Sequence, residues 1–180
     1  MFEPSDIVKL HNSACHKGDY DLANLIMLGA YTGARIEELC SLKLDNINQN
    51  SFKIVDSKTQ AGIRTIPIHS TLADLVIKLK GQSKDGYLLT ELTFNKYGDR
   101  SNAIGKRFGR LKTSLGYTKG QVYHSIRATV ITQLENNAVS ENLAADIVGH
   151  DKPRMTYGLY SDGNMLKVMA EALEKISYPF

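Results

Sequence analysis

The chain has 180 residues, 42% of them hydrophobic and 23% charged, with a formal net charge of +3 at neutral pH. That length suits one well-buried domain, and the composition excludes a disordered polyelectrolyte. No apolar run approaches the roughly 20 residues of a membrane helix, the N-terminus shows no signal-peptide core, and two isolated cysteines exclude a disulfide framework.

Along the chain, Ser5 and Asp6 are placed to cap a first helix that stops at Gly18. Tyr20 to Tyr31 is nearly all apolar and predicts a helix buried on most sides, broken by Gly33. Arg35 to Leu42 reads as a short helix in which Arg35 and Glu38, three apart, share a face. Cys40 on that helix reads as a buried thiol. The period then changes: Phe52 to Val55 and Ile63 to Ile68 are β-branched-rich runs around a polar stretch, which predicts a hairpin with Lys58 near its tip.

Thr71 to Lys80 returns to helix, and Gly86 to Leu89 reads as a short strand or extended turn. Ser101 is placed to cap a helix over Asn102 to Leu115, ending at Gly116. On it Lys106 and Arg110 lie four apart, with Arg107 and Lys112 nearby, giving a basic face. His124 to Glu135 is helical, and Ser140 caps a helix to Val148 that Gly149 ends just before His150. Met165, Met169, Leu173 and Ile176 mark the apolar face of a last amphipathic helix, and that stripe must be buried somewhere. No internal repeat or Pro/Gly-rich linker divides the chain, so one mainly helical α+β domain over residues 1–180 is expected. His11, Cys15 and His16 offer one corner of a metal site without the remaining ligands, and a solvated helix end is the better reading. No metal or other cofactor is expected.

Several stretches carry a resemblance to a known family. TGARIEELCSLKLDNI (Thr32 to Ile47) resembles the first box of the tyrosine recombinase, or phage integrase, family. HSIRATVITQL (His124 to Leu134) is similar to its H-x-x-R box, and VGHDKPRMTYGLYSDG (Val148 to Gly163) to its closing segment, where a Gly-His pair precedes a nucleophilic tyrosine. KTQAGIRTIPIH (Lys58 to His69) resembles the β-hairpin that carries the family's mobile lysine. The resemblance implies the DNA breaking-rejoining catalytic fold and a catalytic set of Arg35, Lys58, His124, Arg127, His150 and Tyr160, with Glu38 in a supporting role. Tyr160 lies one residue farther from the Gly-His histidine than the family usually places its nucleophile, and Pro153 marks a one-residue insertion in between. Tyr157 is the rival phenol.

These residue types suit phosphodiester transesterification. The phosphorane-like transition state gains negative charge on its non-bridging oxygens, and the planar, permanently charged forks of Arg35 and Arg127 match it. Lys58 would protonate the leaving 5′-oxygen. His124 would accept the phenol proton, whose unperturbed pKa is near 10. His150 would donate to a phosphate oxygen, and Glu38 would orient its neighbours. No Walker-type loop and no D-x-D or H-E-x-x-H pattern points to nucleotide or metal chemistry.

The resemblance further implies double-stranded DNA as partner, a homotetramer on paired sites, accessory DNA-bending proteins in some systems, and a cytoplasmic, nucleoid-associated bacterial setting. It implies phosphate contacts by Lys106, Arg107 and Arg110, and docking of the C-terminal helix (about 164–177) on a neighbouring protomer. Family members generally carry a helical core-binding domain ahead of the catalytic one, and this chain begins about where the catalytic domain should. A type IB topoisomerase-like enzyme and a catalytically silent DNA-binding module of the same fold stand as the alternatives.

Overall fold

The computed structural model describes residues 1–55, 62–150 and 162–180, the side chains of 162–164 excepted. In chain order the elements are α1 (Pro4–His16), α2 (Tyr20–Thr32), α3 (Ile36–Cys40), β1 (Ser51–Ile54), β2 (Arg64–Pro67), α4 (Ala73–Gln82), α5 (Ser101–Ser114), α6 (His124–Asn136), α7 (Glu141–Val148) and α8 (Asp162–Leu173). The mainly helical class with one small antiparallel sheet is as expected.

Helix α2 is the centre of the core. Leu22, Leu25, Ile26, Leu28, Ala30 and Tyr31 are all buried, and α1, α3, α5 and α6 pack around it. Asp19 caps its start by accepting from the Leu22 N–H, and Gly33 ends it in the left-handed region at φ 62°. A side chain at Gly33 would be strained by that φ and would meet Val148 Cγ1 at 2.9 Å, so glycine is required where α2 turns into α3.

The two strands pair with Phe52 opposite Ile66 and Ile54 opposite Arg64. Phe52 and Ile66 are fully buried, so this face of the hairpin is the inner one. Period-2 geometry puts Arg64 on the same inner face as Ile66. The hairpin tip, with Lys58, lies outside the described residues.

Several boundaries differ from the sequence reading, some for local reasons and one through a contact distant in sequence. Helix α1 starts at Pro4, whose missing N–H costs nothing in the first turn. Ser5 and Asp6 are thus inside it, and Asp6 reaches back to accept from the Glu3 N–H at 2.9 Å. Ser101 does not cap α5 but is its first residue. The carboxylate of Glu37, from α3, accepts from the N–H groups of Arg100 (2.9 Å) and Ser101 (2.8 Å) instead. Arg35 is not within α3 but is its N-cap, in extended conformation. The segment after α4 pairs with the chain after α3, through Leu44 N–H to Gly86 O and Leu88 N–H to Leu42 O.

The C-terminal stripe is covered by the chain's own domain. Met169, Leu173 and Ile176 are buried, and α8 packs on β2. Glu174 accepts from Ser70 N–H (2.6 Å) and Ser70 Oγ (2.7 Å), and Tyr178 Oη donates to Ala30 O (3.0 Å). The apolar stripe therefore does not require a neighbouring protomer to bury it. No helix among the described residues is long and apolar enough to cross a membrane.

Candidate active site

Three element ends meet at one place: the α2–α3 corner, the start of α6 and the end of α7. His124 opens α6 and Arg127 follows one turn later, so the H-x-x-R spacing puts both on one side of the helix. Ser140 caps α7 and Gly149 closes it in the left-handed region at φ 76°. That reversal lets the N–H groups of Gly149 and His150 both bond to Ala145 O, and it turns His150 out of the helix.

The last carbonyls of a helix lack intrahelical partners and carry its partial negative charge. Here arginines from three separate elements satisfy them. Arg127 donates to Val148 O and to Gly149 O (3.2 Å), and crosses to Gly33 O (3.0 Å). Arg35 donates to Gly149 O (3.2 Å), and Arg64 donates through Nε to Ile147 O (2.8 Å). Gly149 O is thus shared by Arg35 and Arg127, which brings together two residues 92 positions apart in sequence.

Glu38, only 5% exposed, lies among these cations. It accepts from Arg35 Nη1 (2.7 Å) and the Arg35 N–H (2.9 Å), and from both terminal nitrogens of Arg64 (3.0 and 3.3 Å). Burial alone would raise its carboxyl pKa, but the hydrogen bonds from Arg64 and Arg35 outweigh it and hold the pKa below the ordinary value.

Positive charge still dominates. Arg127 is 2% exposed, and its Nε has no hydrogen-bond partner among the described residues. Burial and then the guanidiniums of Arg35 and Arg64 push its pKa down to about 9, so it stays cationic at neutral pH. His124 and His150 are both exposed. Partial desolvation, then Arg127 and Arg35, holds each of them below the ordinary histidine pKa. Neutral imidazoles beside crowded guanidiniums make a pocket suited to an oxyanion, with proton acceptors at its edge.

Of the expected set, the structure brings together Arg35, Glu38, Arg127, His124 and His150. Lys58, Tyr160 and the rival Tyr157 lie outside the described residues. Tyr123, next to the H-x-x-R box, is buried, and its hydroxyl donates to Leu25 O at 2.7 Å. Burial raises its pKa well above the ordinary value, so it is a core residue.

The basic face of α5 is smaller than expected. Lys106 and Arg110 are exposed, but Arg107 is clamped by Asp19, with Asp21 at 3.6 Å. Lys112 is buried, with its ammonium on Thr118 O. The sequence reading also passed over two residues. Arg64 is one of them, and an arginine in strand alternation with Ile66 is the signal that could have found it. Glu37, the cap of α5, left no signal in the sequence because its partners lie more than 60 residues away. No group of three or more His, Cys, Asp or Glu among the described residues could hold a metal ion.

Helix ends thus converge on a cationic cluster, with a small hairpin alongside. Residues 1–166 match the model of the phage integrase family, and the chain belongs to that family. It is similar to the tyrosine recombinase XerA of Pyrococcus horikoshii, 30% identical over 158 residues covering 84% of this chain and 52% of that protein. The fold resembles the lambda integrase catalytic core, with a TM-score of 0.65 at 19% identity over 83% of this chain and 94% of that one. It also resembles a lambda integrase tetramer bound to a Holliday junction, with a TM-score of 0.66 at 18% identity over 88% of this chain and 49% of that one. The chain spans about half the length of XerA.

Proposed function

We propose that this chain is the catalytic domain of a site-specific recombinase that cuts and rejoins DNA through a 3′-phosphotyrosyl intermediate. The observation that carries this reading is the shared grip of Arg35 and Arg127 on Gly149 O, which aligns two guanidiniums beside His124 and His150. Such a pair neutralises the charge that builds on the non-bridging oxygens during in-line attack. Tyr160 is the nucleophile, His124 takes its proton, and Lys58 protonates the departing 5′-oxygen. The phosphotyrosyl ester keeps the energy of the broken bond, so a 5′-hydroxyl from another strand reseals it without ATP.

Lys106 and Arg110 contact the DNA backbone on the outer face of α5. The tetramer on a Holliday junction seen for lambda integrase supports an assembly of four protomers on paired duplexes. Within it, the exposed side of α8, with Val168, is the part of the helix available to a neighbour.

A nicked suicide duplex bearing this recombinase's own recombination site tests the reading. Tyr160→Phe should abolish the covalent adduct and leave DNA binding nearly intact, while Tyr157→Phe should retain the adduct. Peptide mapping should find the nucleotide on Tyr160; a label on Tyr157 would relocate the nucleophile. A Holliday-junction product, in place of relaxed plasmid alone, separates recombinase from topoisomerase.

A further inference from the structure

Arg64 is more deeply placed than Arg35 and answers a problem of charge. Its side chain is 7% exposed, and its fork makes hydrogen bonds in three directions. It reaches Glu38 on both oxygens, Ile147 O at the end of α7, and Gly62 O at 2.7 Å in its own hairpin. Glu38 is also bonded to Arg35 at 2.7 Å. A carboxylate held by Arg35 alone would cancel much of the charge that Arg35 presents to a phosphate. With two guanidiniums on one carboxylate, these three side chains taken together carry a net positive charge.

We infer that Arg64 is a positioning residue that serves as the counter-ion of Glu38, so that this carboxylate does not by itself neutralise Arg35 beside an oxyanion in the pocket. This rests on the phosphate-binding reading of the pocket but assigns a role outside its expected catalytic set. The balance is cooperative. Glu38 orients Arg35 through its main-chain N–H and its side chain, Arg64 offsets the cost of burying that carboxylate, and both arginines hold the α7 carbonyls. Burial pulls the Glu38 carboxyl pKa upward, and the hydrogen bonds from Arg64 and Arg35 together hold it below its ordinary value.

The test is titration of the chain with inorganic phosphate, followed by the ring NMR signals of His124 and His150, with His11 and His16 as remote controls. Arg64→Met should bind phosphate about tenfold more weakly, the scale of one charge-assisted hydrogen bond. The double variant Arg64→Met/Glu38→Gln should recover to within about threefold of the native chain, because the competing carboxylate is gone. Arg64→Lys, which keeps the charge, should also stay within about threefold. Thermal melting by circular dichroism checks folding, and if Arg64→Met does not fold, Arg64→Lys and the double variant decide.

A folded Arg64→Met with native phosphate affinity overturns the inference. So does a double variant as weak as the single one, which would mean that Arg64 acts by shape and not by charge. A folded Arg64→Lys that loses tenfold does the same. A native chain whose His124 and His150 signals ignore phosphate refutes the pocket itself and the inference with it. That result is distinguishable, because it appears before any substitution is made.

Discussion

Burying a guanidinium as deeply as Arg127 costs several kcal/mol unless its donors are met. The helix-end carbonyls of Val148 and Gly149, with Gly33 O, meet the terminal ones. The same crowding sets the histidines. Partial desolvation first, and then Arg127 and Arg35 beside them, makes His124 and His150 favour the neutral form, so both remain proton acceptors below the usual histidine value of about 6.5. The acid limb of kcat/KM reports the free enzyme's base. For DNA cleavage that limb should therefore lie below pH 6.5; a limb above 7 would contradict His124 as the base. A bound phosphate opposes the arginines and raises both histidine pKa values, so DNA affinity should strengthen as pH falls from 8 to 6. His124→Asn together with His150→Asn should flatten that dependence in a filter-binding or anisotropy titration.

At the scale of elements, helix ends do most of the positioning. The C-terminus of α7 gathers arginines from the N-cap of α3, from α6 and from β2, and the carboxylate of Glu37 ties the start of α5 to α3. Helix α8 is held from its other end, by Glu174 on Ser70 and by the buried side chains of Leu173, Ile176 and Tyr178. Removing Met165 onward strips several core side chains, each worth about 2–5 kcal/mol. The truncated chain should melt far below the native one or fail to fold, as read by circular dichroism. A truncation that melts normally would mean that this packing contributes little, and would restore assembly as the helix's main task.

For the whole molecule, a net charge of only +3 makes the placement of cations matter more than their number. Lys106 and Arg110 project from α5, while Arg107 and Lys112 are spent on internal partners. Replacing Lys106 and Arg110 together by alanine should weaken DNA binding about equally across sequences. It should also reduce the slope of log K against log salt by about two. Arg107→Ala should leave that slope within error and lower the melting temperature instead, since it breaks the clamp on Asp19. An Arg107→Ala slope that falls as far as the double variant's would place Arg107 back on the DNA face.

The sequence by itself determined the helical order, the hairpin strands, the family and, among the clustered residues, Arg35, Glu38, His124, Arg127 and His150 but not Arg64, because those rest on local period and short boxes. Gly33 and Gly149 could be read as helix stops, and His124 and Arg127 as one face, from spacing within a single turn. Only the tertiary structure decided which cations are available. Arg64, Arg107 and Lys112 look alike in sequence as basic residues near basic neighbours, yet each is held by a partner elsewhere in the fold or around a turn. The fate of the last helix was settled in the same way. An apolar stripe states that a face must leave water, and the surface that covers it, here β2 and the residues around Ala30 and Ser70, is set by long-range packing that no local pattern encodes.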